Sequence, residues 1–171
     1  MRHMMLERFY PDECAPSAYD IDYQALYDEG YRGIIYDIDN TLVPHGAPAD
    51  ARSKKLFEQL KTIGYSCLVL SNNKEPRVRS FAEDVGALYI YKAGKPGRAG
   101  YREAMSRLNT DTGSTLFVGD QLFTDVWGAK RCGIRNILVM PIHKKEEIQI
   151  VLKRYLERIV MYFYRKQETG R

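Results

Sequence analysis

Gly33-Ile34-Ile35-Tyr36-Asp37-Ile38-Asp39-Asn40-Thr41 changes character halfway along: a short apolar run, rich in β-branched residues, gives way to two carboxylates spaced i and i+2. Four or five apolar residues without polar alternation read as a strand buried on both faces. Gly33–Asp37 is therefore expected to be a core strand, with Asp37 and Asp39 held at the loop just beyond its end.

The same pattern recurs outward along the chain. Cys67–Ser71, Leu88–Ile90, Thr115–Gly119 and Arg135–Val139 are further short apolar runs. Between them lie segments with helical spacing: Leu56, Leu60 and Ile63; Val78, Phe81, Ala82 and Val85; Tyr101, Met105 and Leu108. Strands alternating with helices imply an α/β fold. The sheet should be mostly parallel and five-stranded with helices on both faces, because parallel strands need crossover connections. Ligands in such folds bind at the carboxyl ends of the strands, where Asp37, Ser71 and Asp120 would converge.

Length and composition bound the rest. The 171 residues, 44% of them apolar, fit one domain spanning 1–171 with a sizeable core. Three cysteines, widely spaced and without a CxxC pair, indicate neither a disulfide framework nor a zinc site and suit a reducing cytoplasm. No segment near the start reads as a signal-peptide core or a membrane span. The charge of +4 is uneven. Residues 141–171 hold eight Lys/Arg against four Glu, leaving 18 basic and 18 acidic residues before them.

Each polar cluster has an ordinary reading beside a chemical one. Two carboxylates at a strand terminus can act as nucleophile and general acid/base, though an Asp pair in a loop is more often a solvated turn. Ser71-Asn72-Asn73 offers a hydroxyl and backbone N–H groups for phosphate oxygens, or simply a helix N-cap. Lys95, in Ala93-Gly94-Lys95-Pro96, is either aimed inward by its loop or solvated. Gly119-Asp120-Gln121 with Asp125 supplies hard oxygen ligands suited to Mg2+, or another cap.

Taken together and in order, DxDNT, SNN, GKP and GDxxxxD resemble the four motifs of the haloacid dehalogenase (HAD) phosphatase superfamily. That resemblance implies a HAD-like Rossmannoid fold and a phosphomonoester substrate. It further implies Asp37 as nucleophile, Asp39 as general acid/base, and Ser71, Asn72 and Lys95 around the phosphoryl group. Mg2+ would be held by Asp37, Asp120 and the Asp39 backbone carbonyl, with Asp125 orienting Lys95 or a bound water and Thr41 in support. Only 33 residues separate Asp37 from Ser71 and 48 separate Ser71 from Asp120, which leaves no room for a cap domain and predicts an open site that suits a bulky substrate. Phe9-Tyr10-Pro11-Asp12-Glu13, the run Val118 to Gly133 and Ile137 to Ile142 narrow the resemblance to the YqeG-type subgroup. That subgroup in turn resembles phosphatidylglycerophosphate phosphatases, so a lipid phosphomonoester is a candidate substrate.

A basic amphipathic helix is expected over about 144–166. Ile148, Val151, Leu152, Tyr155, Ile159, Tyr162 and Phe163 keep helical spacing among Lys153, Arg154, Arg158, Arg165 and Lys166. Two readings are open: peripheral contact with an anionic membrane at its inner face, or packing of the apolar stripe on the core. No recognised nucleic-acid module accompanies the basic residues, so no nucleic-acid partner is expected. Two alternatives to a hydrolase remain. One is a receiver-like module that keeps its phosphoaspartate, against which Asp39 argues; the other is a non-catalytic interaction protein on the same scaffold. A dinucleotide site is unexpected, since no GxGxxG follows the first strand. His45 reads as a solvated loop residue, and Arg77 and Arg98 as residues near the motifs that could meet a second anionic group.

Overall fold

The computed structural model describes residues 6–143 and 148–169. The elements run β1 (Glu13–Ala15), α1 (Tyr23–Asp28), β2 (Gly33–Tyr36), α2 (Ala51–Ile63), β3 (Ser66–Leu70), α3 (Glu75–Val85) and β4 (Leu88–Ile90). They continue with α4 (Arg98–Leu108), β5 (Thr115–Gly119), a π-helical turn (Leu122–Val126), α5 (Trp127–Arg131), β6 (Arg135–Val139) and α6 (Ile148–Glu168). The strand order is β1-β6-β5-β2-β3-β4, with every pairing parallel.

The alternation of side chains along the strands divides the core into two layers. Ile34, Tyr36, Val69, Leu116 and Val118 pack with α1, α2 and α3 through Leu26, Leu56, Leu60, Val78 and Phe81. Ile35, Leu68, Leu70 and Phe117 face the other way, against Tyr101, Ala104 and Leu108 of α4 and Ala129 of α5. Side chains of the central strands are thus buried on both faces, which is why those strands read as continuous apolar runs.

The sheet has six strands among the described residues rather than the expected five. The added edge strand, Glu13-Cys14-Ala15, lacks an apolar run and is held by polar contacts with β6. Asp12 Oδ2 accepts hydrogen bonds from the Asn136 backbone (3.0 Å) and side chain (2.7 Å), Asp12 N–H donates to Asn136 Oδ1 (3.1 Å), and Arg135 pairs with Glu13.

Helix boundaries follow local chemistry. A capping box between Asp50 and Ser53 starts α2, and left-handed Gly86 ends α3. Helix α6 begins at Ile148, so the stretch 144–147 of the expected helix lies outside the described residues. Val160 of α6 is buried with Tyr10, Leu122 and Val126 in a third small cluster. The helix also exposes Leu152, Tyr155, Leu156, Ile159 and Tyr162. The helix therefore divides between the two readings, packing one face and leaving an apolar face open. No described helix is long and apolar enough to cross a membrane.

Candidate active site

β2 lies between β3 and β5 at the point where the strand order reverses, so the loops after these strands gather at one edge. Asp37 follows β2 and Ser71 follows β3, each continuing the ladder: Asp37 N–H donates to Val118 O and Ser71 N–H to Ile90 O, both at 3.0 Å. Asp120 follows β5 directly, and the π-helical turn brings Asp125 back over it. A Cβ on Gly119 would come within 2.6 Å of Asp125 Oδ2, so glycine at the end of β5 makes room for that carboxylate.

Lys95 is at the centre of the cluster and almost wholly buried. Its Nζ donates to Asp37 Oδ1 at 2.8 Å and to Asp125 Oδ1 at 2.7 Å. Asp125 Oδ2 accepts the backbone N–H groups of Asp120 (3.2 Å) and Gln121 (3.1 Å), so both its oxygens are engaged and the side chain anchors Lys95. Burial alone would drive Lys95 toward the neutral amine, but Asp125 and Asp37 overcome it and hold the ammonium charged. Burial pushes the Asp37 carboxyl upward; Lys95 pulls it back, and the Asp125 and Asp120 charges push it further up, leaving it well above the usual carboxylate range. Asp120 is raised to about 6 by burial and by the Asp125 charge, against Arg154 and the Thr41 hydroxyl.

Asp37, Asp120 and Asp125 each offer a carboxylate oxygen, and these atoms lie within 4.8 Å of one another. Three buried carboxylates this close repel one another, and hard oxygen donors of this kind suit a small divalent cation; the donor set fits a metal ion. Thr41 Oγ1 bridges the cluster, 3.3 Å from Asp37 Oδ2 and 3.0 Å from Asp120 Oδ1.

The remaining expected residues take up distinct positions. Ser71 is buried at the end of β3, its Oγ accepting from Asn73 N–H at 3.1 Å. The Asn72 side chain is committed to the Lys95 backbone in both directions, Nδ2 donating to Lys95 O (3.1 Å) and Oδ1 accepting from Lys95 N–H (2.8 Å). Its amide thus fastens the lysine loop to β3. The Asp39 carboxylate is turned toward Arg77 (2.9 Å from Nη2) and the Gly46 N–H (2.8 Å). Burial would raise it, but Gly46 and Arg77 outweigh burial and hold Asp39 below the usual carboxylate range. Arg77 therefore meets the Asp39 carboxylate. Arg98 and His45 are exposed.

Two contributors escape the motif reading. Arg154, on α6, bonds both the carboxylate and the backbone carbonyl of Asp120. Glu157, one turn further along, is buried, accepts from the Leu122 N–H at 2.9 Å and pairs with Arg154 at 3.1 Å. Their i, i+3 spacing on the face that carries Val160 is the only sequence signal for them, and an ordinary surface pair gives the same signal. Along this helix, a groove of about 830 Å³ runs from Asp120 and Arg154 past Leu122, Leu138, Met140 and Met161.

Comparison with known proteins agrees with this geometry. A family described as HAD-hydrolase-like matches residues 92–149. The chain is 36% identical over 159 residues to the probable phosphatase YqeG of Bacillus subtilis, covering 92% of each. It is 24% identical to the phosphatidylglycerophosphate phosphatase 1 (chloroplastic/mitochondrial) of Arabidopsis thaliana, covering 77% of this chain but 40% of that one. Among solved structures, the cobalt-bound deoxy-D-mannose-octulosonate 8-phosphate phosphatase of Haemophilus influenzae superposes with a TM-score of 0.54 at 16% identity. That superposition covers 66% of this chain and 80% of the other, a likeness of fold. Strand order, carboxylate cluster and sequence similarity define a HAD-type hydrolase, and the chain belongs to the HAD superfamily of phosphatases, in its YqeG group.

Proposed function

We propose that the protein hydrolyses a phosphomonoester through a phosphoaspartate formed on Asp37, in a Mg2+-dependent reaction within a single uncapped domain. The observation that carries this is the placement of Asp37 against the Nζ of buried Lys95. A carboxylate attacking a phosphate dianion must overcome like-charge repulsion, and a fixed ammonium at 2.8 Å, with no solvent to reorganise, lowers that barrier.

Asp37 supplies the attacking oxygen; the P–O bond to the leaving group breaks as the Asp37–phosphorus bond forms. Lys95 and the Ser71 hydroxyl steady the equatorial oxygens, and Asn72 keeps the Lys95 loop in register with β3. Asp39 leaves its Arg77 contact, gains a proton because the incoming phosphate charge raises its pKa, and gives it to the departing oxygen. It then takes a proton from the water that attacks phosphorus, releasing inorganic phosphate and regenerating Asp37. Asp37, Asp120 and the Asp39 backbone carbonyl would hold Mg2+, which neutralises charge on the transferring group when bound.

The substrate we favour carries its phosphate on a lipid, with phosphatidylglycerophosphate the leading candidate. Three observations support it: the apolar groove leading to Asp120, the exposed apolar side of α6 with Lys153, Arg158 and Lys166 among the exposed residues, and the similarity to a phosphatidylglycerophosphate phosphatase. The same helix face gives a peripheral contact with an anionic membrane from the cytoplasmic side. Incubating the protein with aryl phosphates and with phosphatidylglycerophosphate in micelles, in Mg2+ or EDTA, tests the reading. Turnover that requires Mg2+ and vanishes in a folded Asp37→Asn protein is expected. Equal turnover by that variant rejects Asp37 as nucleophile, and full activity in EDTA rejects the metal.

A further inference from the structure

Arg154 meets Asp120, and its role there rests on the metal reading above. Asp120 is an expected metal ligand, yet its carboxylate is already partnered. Thr41 Oγ1 lies 3.0 Å from Oδ1, and the Arg154 guanidinium bonds Oδ2 and also the Asp120 carbonyl. Asp120 has no exposed side-chain surface, and Arg154 is only 16% exposed, so solvent screens the pair weakly. The guanidinium is a fixed positive charge at a cluster whose other cation is Lys95.

Arg154 arrives from outside the α/β body, on α6. That helix is seated by Val160 in a small cluster against which Met161, Phe163 and Tyr164 also pack, and by Glu157, which ties the helix to the Leu122 N–H and bonds Arg154. Much of its remaining surface is exposed apolar side chain.

We propose that Arg154 is a tethered cation that competes with the metal for Asp120, so that seating of α6 and loading of the metal site oppose each other. Two cations on one carboxylate repel, and in a weakly screened site the penalty is substantial. By linkage, whatever loosens α6 strengthens metal binding, and metal binding loosens α6 by the same factor. Arg154 is thus a positioning residue acting through Asp120, and the exposed apolar face of α6 is the handle by which a lipid surface could shift the balance.

The test is calorimetric titration of MgCl2 into the full chain, comparing wild type with Arg154→Met, which keeps the bulk of the side chain and removes the charge, and with Arg154→Lys. Arg154→Met is expected to bind Mg2+ about tenfold more tightly, and Arg154→Lys to stay near wild type. The metal-free Arg154→Met protein should melt at a lower temperature than wild type, with the gap closing at saturating Mg2+. Hydrogen exchange in wild-type α6 should quicken when Mg2+ is added. A purely structural arginine predicts the opposite for affinity, because losing it would misplace Asp120 and weaken metal binding. Equal or weaker Mg2+ binding by Arg154→Met overturns the proposal while leaving the metal site standing. Absence of Mg2+ binding in both proteins overturns both.

Discussion

Lys95 Nζ lies 2.8 Å from Asp37 Oδ1 in a site that buries both groups, and Asp125 fixes the lysine from its other side at 2.7 Å. Replacing Lys95 with Met would leave two carboxylates buried without their shared cation. Breaking a buried pair in this way costs about 3–5 kcal/mol at neutral pH. Denaturant titration of Lys95→Met at pH 7 checks the magnitude. Activity toward an aryl phosphate should fall by about 10²–10³-fold or more. A stable Lys95→Met protein with normal turnover would show that the contact serves neither fold nor chemistry.

Asp39→Ala should reveal its role through the leaving group. Without the acid, substrates with poor leaving groups should lose about 10²–10⁴-fold in rate, and good ones less in the first step. Hydrolysis of the intermediate slows as well, so phosphorylated protein should accumulate with an activated substrate and be visible by mass spectrometry. Wild-type rates with alkyl and aryl phosphates alike would remove Asp39 from the proton transfers.

Much of the fold is legible in the sequence because β2, β3 and β5 are buried on both faces and announce themselves as apolar runs, with Asp37, Ser71 and Asp120 following at once. Edge strand β1 is not legible: Glu13-Cys14-Ala15 depends on Asp12 meeting Asn136, 124 residues away, and nothing local specifies that meeting. The candidate site divides in the same way. Residues on strand-end loops stand beside their motifs, whereas Arg154 reaches Asp120 from a helix placed by long-range contacts of Val160, Met161, Phe163, Tyr164 and Glu157. Arg77 and Asn72 were visible as residue types near motifs. Their actual partners, the Asp39 carboxylate and the Lys95 backbone, depend on how two loops face each other across the strand ends.

The Arg77–Asp39 pair makes a pH-dependent prediction. Asp39 has its pKa depressed in the folded protein, so the pair contributes stability that is present above the unfolded value near 3.8 and is lost as pH falls through the folded value. Arg77→Ala should therefore cost about 1–3 kcal/mol at pH 7 and progressively less below pH 4. Urea unfolding of both proteins across that range measures it. A difference that stays constant with pH would trace the loss to packing of Arg77 over Phe81 rather than to the charge on Asp39.

Helix α6 carries an exposed apolar surface. Leu152, Tyr155, Leu156, Ile159 and Tyr162 are all exposed, an arrangement that costs solvation unless something apolar covers it. Lys153, Arg158 and Lys166 lie exposed on the same helix, and Arg154 is excluded from this group because it faces Asp120. Each basic residue near an anionic surface is worth about 1 kcal/mol, so charge reversal of Lys153, Arg158 and Lys166 to Glu should weaken binding to phosphatidylglycerol-containing vesicles by at least 10²-fold or so. Wild-type binding should weaken as salt rises. A separate Leu152→Ser, Ile159→Ser protein should lose binding even at low salt, which distinguishes apolar insertion from charge attraction alone. Both proteins should keep turnover of a soluble aryl phosphate, since neither change touches the carboxylate cluster or Arg154. Undiminished vesicle binding by both would assign this face to another partner, and a strong preference for a small soluble phosphomonoester over phosphatidylglycerophosphate would end the lipid reading while leaving the phosphatase chemistry at Asp37 intact.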